Sequence, residues 1–202
     1  MTDVTIQFLG ATRTVTGSRF LVTAGSTRIL VDAGLFQGDA KERQLNWKPF
    51  PTDPATLTHV LLTHAHLDHC GALPLLVKNG YSGEIHSTRY TRKLAEVTLR
   101  DSGRIHEEDA KFAAKRGYSS HKPPLPLYTE QDAIATVSRF REVAFRTQLD
   151  LGQGATATFH PAGHILGAAF IDLQIGGKRI LFTGDVGRPE HPALVGPDVI
   201  PG

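Results

Sequence analysis

Along the first third of the chain, apolar and polar residues alternate with a period of two. Val4-Thr5-Ile6-Gln7-Phe8-Leu9, Arg19-Phe20-Leu21-Val22 and Arg28-Ile29-Leu30-Val31 read as strands of a β-meander, with turns at Gly10, Gly17 and Gly25. After a polar stretch holding Pro49, Pro51 and Pro54, the run His59-Val60-Leu61-Leu62-Thr63 loses the alternation, as expected of a strand buried on both faces. Residues 71–79 predict a short helix: Pro74 falls in its first turn and Gly80 where a C-terminal cap belongs. From about Thr88 to Phe140 the period becomes helical. It predicts helices over residues 88–101, 107–115 and 130–140, with the Pro-rich stretch from Lys122 to Leu127 between the last two. Strands return at residues 155–160, 168–175 and 178–182, and Gly176-Gly177 marks a hairpin between the last pair. Residues 187–202 hold four prolines and three glycines and predict no element; they read as a tail or linker after a domain spanning residues 1–186.

Composition narrows the class. A chain of 202 residues, 40% of them hydrophobic, can bury a real core, which excludes disorder as its main state. The net charge of +2 is too small to argue for a nucleic-acid partner by bulk electrostatics, so any such partner must be argued from a site. The basic excess over residues 89–146 reads as a solvated helical face. One cysteine excludes a disulfide framework, and no apolar run approaches the roughly 20 residues of a membrane-spanning helix. The start, Met1-Thr2-Asp3, lacks the basic end and apolar stretch of a secretory signal. The expectation is a reducing compartment, the cytoplasm, with no membrane partner.

The histidines carry the chemistry. Of ten, three fall within six residues, in Thr63-His64-Ala65-His66-Leu67-Asp68-His69, between the buried strand and the following helix. Alternate residues of an extended segment point the same way, so His64 and His66 can share one metal, while the turn into the helix aims Asp68 and His69 at a neighbouring position. Imidazoles with carboxylates suit zinc or a similar first-row ion. Two later residues sit in matching contexts. His164 lies between strands in Ala162-Gly163-His164, and Asp185 follows a strand in Thr183-Gly184-Asp185, where it could bridge two ions and lower the pKa of a shared water. Asp32, after another buried strand, could hold a ligating histidine from behind. A lone His-x-His pair is often only surface; a run of four such residues joined by a later His and Asp is not. His59, His86, His106, His121, His160 and His191 fit no ligand spacing and read as surface or structural histidines. Cys70 reads as a small buried residue, and Trp47 and Phe50 as packing rather than base-stacking residues.

The His64–His69 run, with the later His164 and Asp185, resembles the signature of the metallo-β-lactamase superfamily. Residues 10–18, 30–38, 64–74, 101–110, 162–167 and 182–188 are similar, in order, to the β-CASP branch, whose members are RNA-processing nucleases. The resemblance implies an α/β fold, the N-terminal half of an αββα sandwich plus helices. It implies two zinc ions: His64, His66 and His164 on one, Asp68 and His69 on the other, Asp185 bridging, Asp32 supporting, and Asp68 orienting the nucleophile. The implied substrate is single-stranded RNA and the reaction phosphodiester hydrolysis. The 10–18 loop is a candidate phosphate contact through Arg13, with a structural glycine-rich turn as the alternative. Family members continue with an acidic motif, an inserted cap domain and two further histidines. The expectation is therefore a partial chain with a weakly held second zinc, little activity of its own, and association through exposed sheet edges. Two other functions share the ligand set: a thioester, lactone or small-phosphodiester hydrolase, and a non-catalytic RNA-binding or partner subunit.

Overall fold

A computed structural model describes residues 3–117, 121 and 123–200. Lys122 of the expected spacer and Pro201 and Gly202 of the expected tail lie outside the described residues. The meander forms as its alternation predicts: β1 (Val4–Phe8), β2 (Phe20–Ala24) and β3 (Thr27–Val31) pair antiparallel, with Ile6 opposite Val22 and Val22 opposite Ile29. Three parallel strands extend this sheet in the order β1 to β6: β4 (His59–Leu61), β5 (Ile85–Thr88) and β6 (Phe140–Val143). Parallel pairing needs crossovers, and the helices supply them. The short α1 (Ala40–Gln44) lies between β3 and β4, α2 (Leu67–Cys70) and α3 (Leu73–Lys78) follow β4, and α4 (Arg89–Arg116) and α5 (Glu130–Val137) follow β5. A second, antiparallel sheet runs β10-β9-β8-β7, from β7 (Gln148–Asp150), β8 (Thr156–Pro161), β9 (Ala169–Ile175) and β10 (Lys178–Phe182).

The six-stranded sheet is apolar on both faces, and that places it in the middle. Leu30, Val60, Leu62 and Ile85 pack with Leu73, Leu76 and Leu99 of the helices. On the opposite face, Val22, Ile29, Val31 and Leu61 meet Phe159, Ile171, Leu173 and Ile175 of the second sheet. Each such side chain withdrawn from water contributes roughly 1.5–3 kcal/mol. The described residues thus form helices, sheet and sheet, three layers of an α/β sandwich, and place no helix on the outer face of the second sheet. Residues 187–200 form no helix or strand and lie against that sheet. Asp198 N–H donates to the Pro161 carbonyl, its carboxylate accepts two bonds from Arg146, and Ile200 packs with Phe170. Among the described residues, no helix is long and apolar enough to cross a membrane.

Two expectations need correction, and three strands were not expected. The helices expected over 88–101 and 107–115 are one helix of 28 residues, because Gly103 is a contact point and not a break: a Cβ there would sit 2.7 Å from Glu130 N. The helix expected over 71–79 starts earlier, at Leu67, and divides at Gly71, so that Asp68 and His69 belong to α2. Strands β5, β6 and β7, of three or four residues each, are too short to show a period, and β5 reads Ile-His-Ser-Thr although every residue of it is buried.

Candidate metal centre

The chain leaves β4 extended, so His64 and His66 lie on one side, and His66 turns into α2 as its capping residue. The loops before β2 and after β3 hold α2 by their backbone. Ala33 N–H donates to His69 O at 2.7 Å, Leu35 N–H to Leu67 O at 2.8 Å, and Ser18 N–H to Asp68 O at 2.8 Å. The approach requires Gly34, where a Cβ would lie 1.6 Å from the Asp68 carbonyl oxygen. The second sheet brings the remaining donors. His164 comes from the β8–β9 connection and Asp185 from the end of β10, each after a glycine of positive φ, Gly163 and Gly184.

Four donor atoms converge: those of His64, His66, His164 and Asp185 all lie within 4.8 Å of one another. His64 Nε2 is 3.1 Å from His66 Nδ1, which is 3.2 Å from His164 Nε2. Asp185 Oδ2 lies 3.3 Å from His164 Nε2 and 3.7 Å from His64 Nε2. A tetrahedron with zinc–nitrogen bonds of about 2.0–2.1 Å has edges of about 3.3–3.4 Å. The four separations of 3.1–3.7 Å bracket that edge and none in the group exceeds 4.8 Å, so the donor set suits a tetrahedral first-row ion in chemistry and comes close to it in size. Burial, followed by the neighbouring imidazoles of His69, His66 and His164, pushes the His64 pKa down to about 2, which keeps the ring in its neutral, ligating form. His164 is also lowered by burial, against the pull of Asp185.

Asp32 organises the site from behind. Its carboxylate accepts from His69 Nδ1 at 2.7 Å, from Thr63 N–H at 2.8 Å and from the Thr63 hydroxyl at 2.9–3.0 Å. The Thr63 oxygen in turn lies 3.1 Å from His64 Nδ1. With the hydroxyl proton committed to Asp32, His64 must carry its own proton on Nδ1, leaving the Nε2 lone pair free to face the other donors. His69 is fixed in the same tautomer. Burial alone would lower its pKa, but the Asp32 hydrogen bond and the charges of Asp32, Asp185 and Asp68 raise it. Thr63 is the member that sequence reasoning missed; its position directly before His64 was the available signal.

The structure places Asp68 and His69 beside the four-donor group. His69 Nε2 is 3.3 Å from Asp185 Oδ1 and 3.8 Å from Asp68 Oδ2, so Asp185 turns one oxygen to each side. Among the described residues there is one tight donor group; a second is not shown. Cys70 is fully buried, with its thiol pKa pushed up by burial and then by Asp32 and Asp68, and it takes no part in the donor group. Trp47 stacks on His121, with centroids 4.2 Å apart, and Phe50 packs against the helical core. Arg13 stands exposed on its loop at φ 62°, and no hydrogen bond or ion pair among the described residues ties it to the histidines.

Comparison with known proteins agrees with this geometry. Residues 13–202 match the family model of the metallo-β-lactamase superfamily, and the chain belongs to that superfamily. Its sequence relatives place it, at low identity, with the β-CASP branch of RNA-processing nucleases. It is 38% identical over 192 residues to a ribonuclease of Thermus thermophilus, covering 95% of this chain and 40% of that protein. It is 30% identical over 185 residues to a transcription termination factor of Methanocaldococcus jannaschii, covering 91% of this chain and 27% of that protein. The chain thus spans less than half the length of these relatives. Among solved structures, a Cronobacter sakazakii metallo-β-lactamase with a HARLDQ motif superimposes with a TM-score of 0.52 at 20% identity, over 93% of this chain and 58% of that one. That likeness is one of fold.

Proposed function

We propose that this chain carries the metal-binding portion of a β-CASP-type ribonuclease, a zinc-dependent phosphodiester hydrolase acting on single-stranded RNA in the cytoplasm. The observation that carries the reading is the Asp185 carboxylate, which turns Oδ2 to the three-histidine group and Oδ1 to His69. In this reading His64, His66 and His164 hold one zinc, Asp68 and His69 contribute to a second, and Asp185 serves both. Bound zinc would supply Lewis-acid charge to the phosphodiester and lower the pKa of the attacking water. The chain's own part is to fix ligand tautomers through Asp32 and Thr63, and to offer the Asp68 carboxylate to orient that water and take its proton. Arg13, exposed on the 10–18 loop, would meet the RNA backbone as it enters. In this reading residues 1–186 are the metal-binding portion and 187–202 a Pro/Gly-rich tail or linker.

The test is cleavage of a labelled single-stranded RNA by the zinc-loaded chain. Weak cleavage, as of a partial chain, abolished by His66→Ala and by Asp68→Ala, is expected. Turnover of thioesters or lactones with intact RNA would replace the nuclease reading by another hydrolase of the superfamily, and RNA binding without turnover at any zinc concentration would replace it by a binding subunit.

A further inference from the structure

Arg19 stands directly before β2 and is only 4% exposed. Its guanidinium lies between the rings of Phe36 and Phe50, 4.8 Å from each centroid, and donates from Nε and Nη2 to the Gly34 carbonyl at 2.9 and 2.7 Å. The ring faces favour the cation and the carbonyl takes two of its donors, but neither brings a negative charge to balance it. Among the described residues Arg19 forms no ion pair with a carboxylate. Burial lowers its pKa to about 10, and no acidic neighbour raises it back. A buried cation without a counter-charge is costly, and a ligand that supplies the charge removes the cost.

A cavity of about 350 Å³ has Arg19 in its lining. Lys48 is a second cation on its wall, Thr12 and Thr14 add hydroxyls, Phe36 adds an aromatic face, and among the described residues no acidic one lines it. The two hydroxyls hold only long bonds to carbonyls of their own loop, 3.4 Å from Thr12 to Gly10 and 3.3 Å from Thr14 to Thr16, which an incoming acceptor can replace. Arg13 is not among the lining residues.

We propose that this cavity is a phosphate-binding subsite, with Arg19 and Lys48 as its counter-charges and room beside the phosphate for the attached sugar. That the phosphate belongs to an RNA backbone rests on the nuclease reading above; that the cavity takes a phosphate does not. The backbone links the cavity to the metal centre. Ser18 beside Arg19 bonds the Asp68 carbonyl, and the gripped Gly34 follows Ala33, which bonds the His69 carbonyl. An RNA strand held at this subsite would be registered against the residues that bind zinc.

The experiment is calorimetric titration of the 202-residue chain, kept metal-free with EDTA, with inorganic phosphate and separately with a short single-stranded RNA. Both are expected to bind. Lys48→Glu, an exposed substitution, should weaken each by about tenfold or more, the loss expected of a charge-assisted contact. Arg19→Gln, which keeps a donor for Gly34, should weaken both further, with a thermal melt to confirm folding; if it does not fold, Lys48→Glu decides alone. Binding of phosphate but not RNA would uphold the subsite and assign it to the free ion. Absence of binding by both, or affinities unchanged in Lys48→Glu, would overturn it. RNA cleavage by the zinc-loaded chain is scored separately. Phosphate binding without cleavage leaves the subsite standing and removes the nuclease reading, whereas cleavage with an unchanged KM in Lys48→Glu removes the subsite and leaves the nuclease.

Discussion

Asp32 bears more of the site than any ligand does, and its backbone already marks it: φ is 59°, a conformation that Asp and Asn accept more readily than most residues. Asp32→Asn should therefore preserve the fold. It removes the negative charge that raises the His69 pKa and replaces a carboxylate accepting from both Thr63 and His69 by a single carbonyl. Zinc affinity, measured by competition with a chromogenic chelator, is expected to fall about 10–100-fold, with a drop in melting temperature smaller than that of Asp32→Ala because one acceptor oxygen remains. Asp32→Ala should destabilise the chain itself by about 2–4 kcal/mol, since the Thr63 amide and His69 Nδ1 lose their buried acceptor. The ligands were legible because imidazoles two residues apart on an extended segment must share a side; their protonation was not, because it depends on Thr63 and Asp32 meeting across 31 residues of sequence. His86 shows the opposite case. It reads as an ordinary structural histidine, yet it is buried with no hydrogen-bond partner on either ring nitrogen among the described residues, and burial, then His59 at its side, hold its pKa down to about 4 against the opposing charge of Glu84. Between pH 6.5 and about 4 the unfolded chain takes up a proton that the native chain refuses, so stability falls as pH falls through that window. His86→Leu should be at least as stable as the parent at pH 7. Its urea-unfolding free energy should decline less toward pH 4, by up to about 3 kcal/mol relative to the parent.

At the scale of elements, the long strands and their turns followed from periodicity, while the mistakes cluster where tertiary contact overrides it. Gly103 is the clearest instance. In an isolated helix, Gly103→Ala would gain roughly 1 kcal/mol of helix propensity. In the folded chain the added methyl would lie 2.7 Å from Glu130 N and 2.8 Å from Thr129 O, backbone atoms fixed by the capping box of Thr129 and Asp132 that opens α5. The substitution is expected to separate α4 from α5 and cost about 1–3 kcal/mol net, read as a lowered denaturation midpoint. A stabilised variant would show that the two helices are not clamped there. The same logic explains β5. Ser87 and Thr88 look like surface residues in sequence, but Thr88 caps α4 and donates to the Gly167 carbonyl at 2.6 Å, a partner 79 residues away that no local pattern announces.

Across the whole molecule, the donor group joins two halves that otherwise meet through apolar packing and a few hydrogen bonds, among them Ala169 N–H to the Thr63 carbonyl at 3.0 Å and Thr88 to the Gly167 carbonyl. His64 and His66 leave the six-stranded sheet, His164 and Asp185 leave the four-stranded one, and the interface behind them is a layer of Val, Ile, Leu and Phe side chains. A metal at their convergence would thus act as a staple between the sheets, and its binding energy would appear as folding stability, because an unfolded chain does not bring together ligands nearly 100 residues apart. At free zinc about 100 times its dissociation constant, the gain should be about 2.7 kcal/mol, seen as a rise in melting temperature that a chelator reverses. His164→Ala removes a donor only a quarter exposed and outside both apolar cores, so the metal-free variant should melt close to the metal-free parent and lose most of the zinc-induced rise. His69→Ala separates the two candidate positions. It should spare much of that rise, since the four-donor group does not include it, while lowering the metal-free melting temperature through the loss of the Asp32 contact. If His69→Ala abolished the rise and His164→Ala did not, the principal metal would lie on the Asp68 and His69 side, and the assignment of the tight group would have to be reversed.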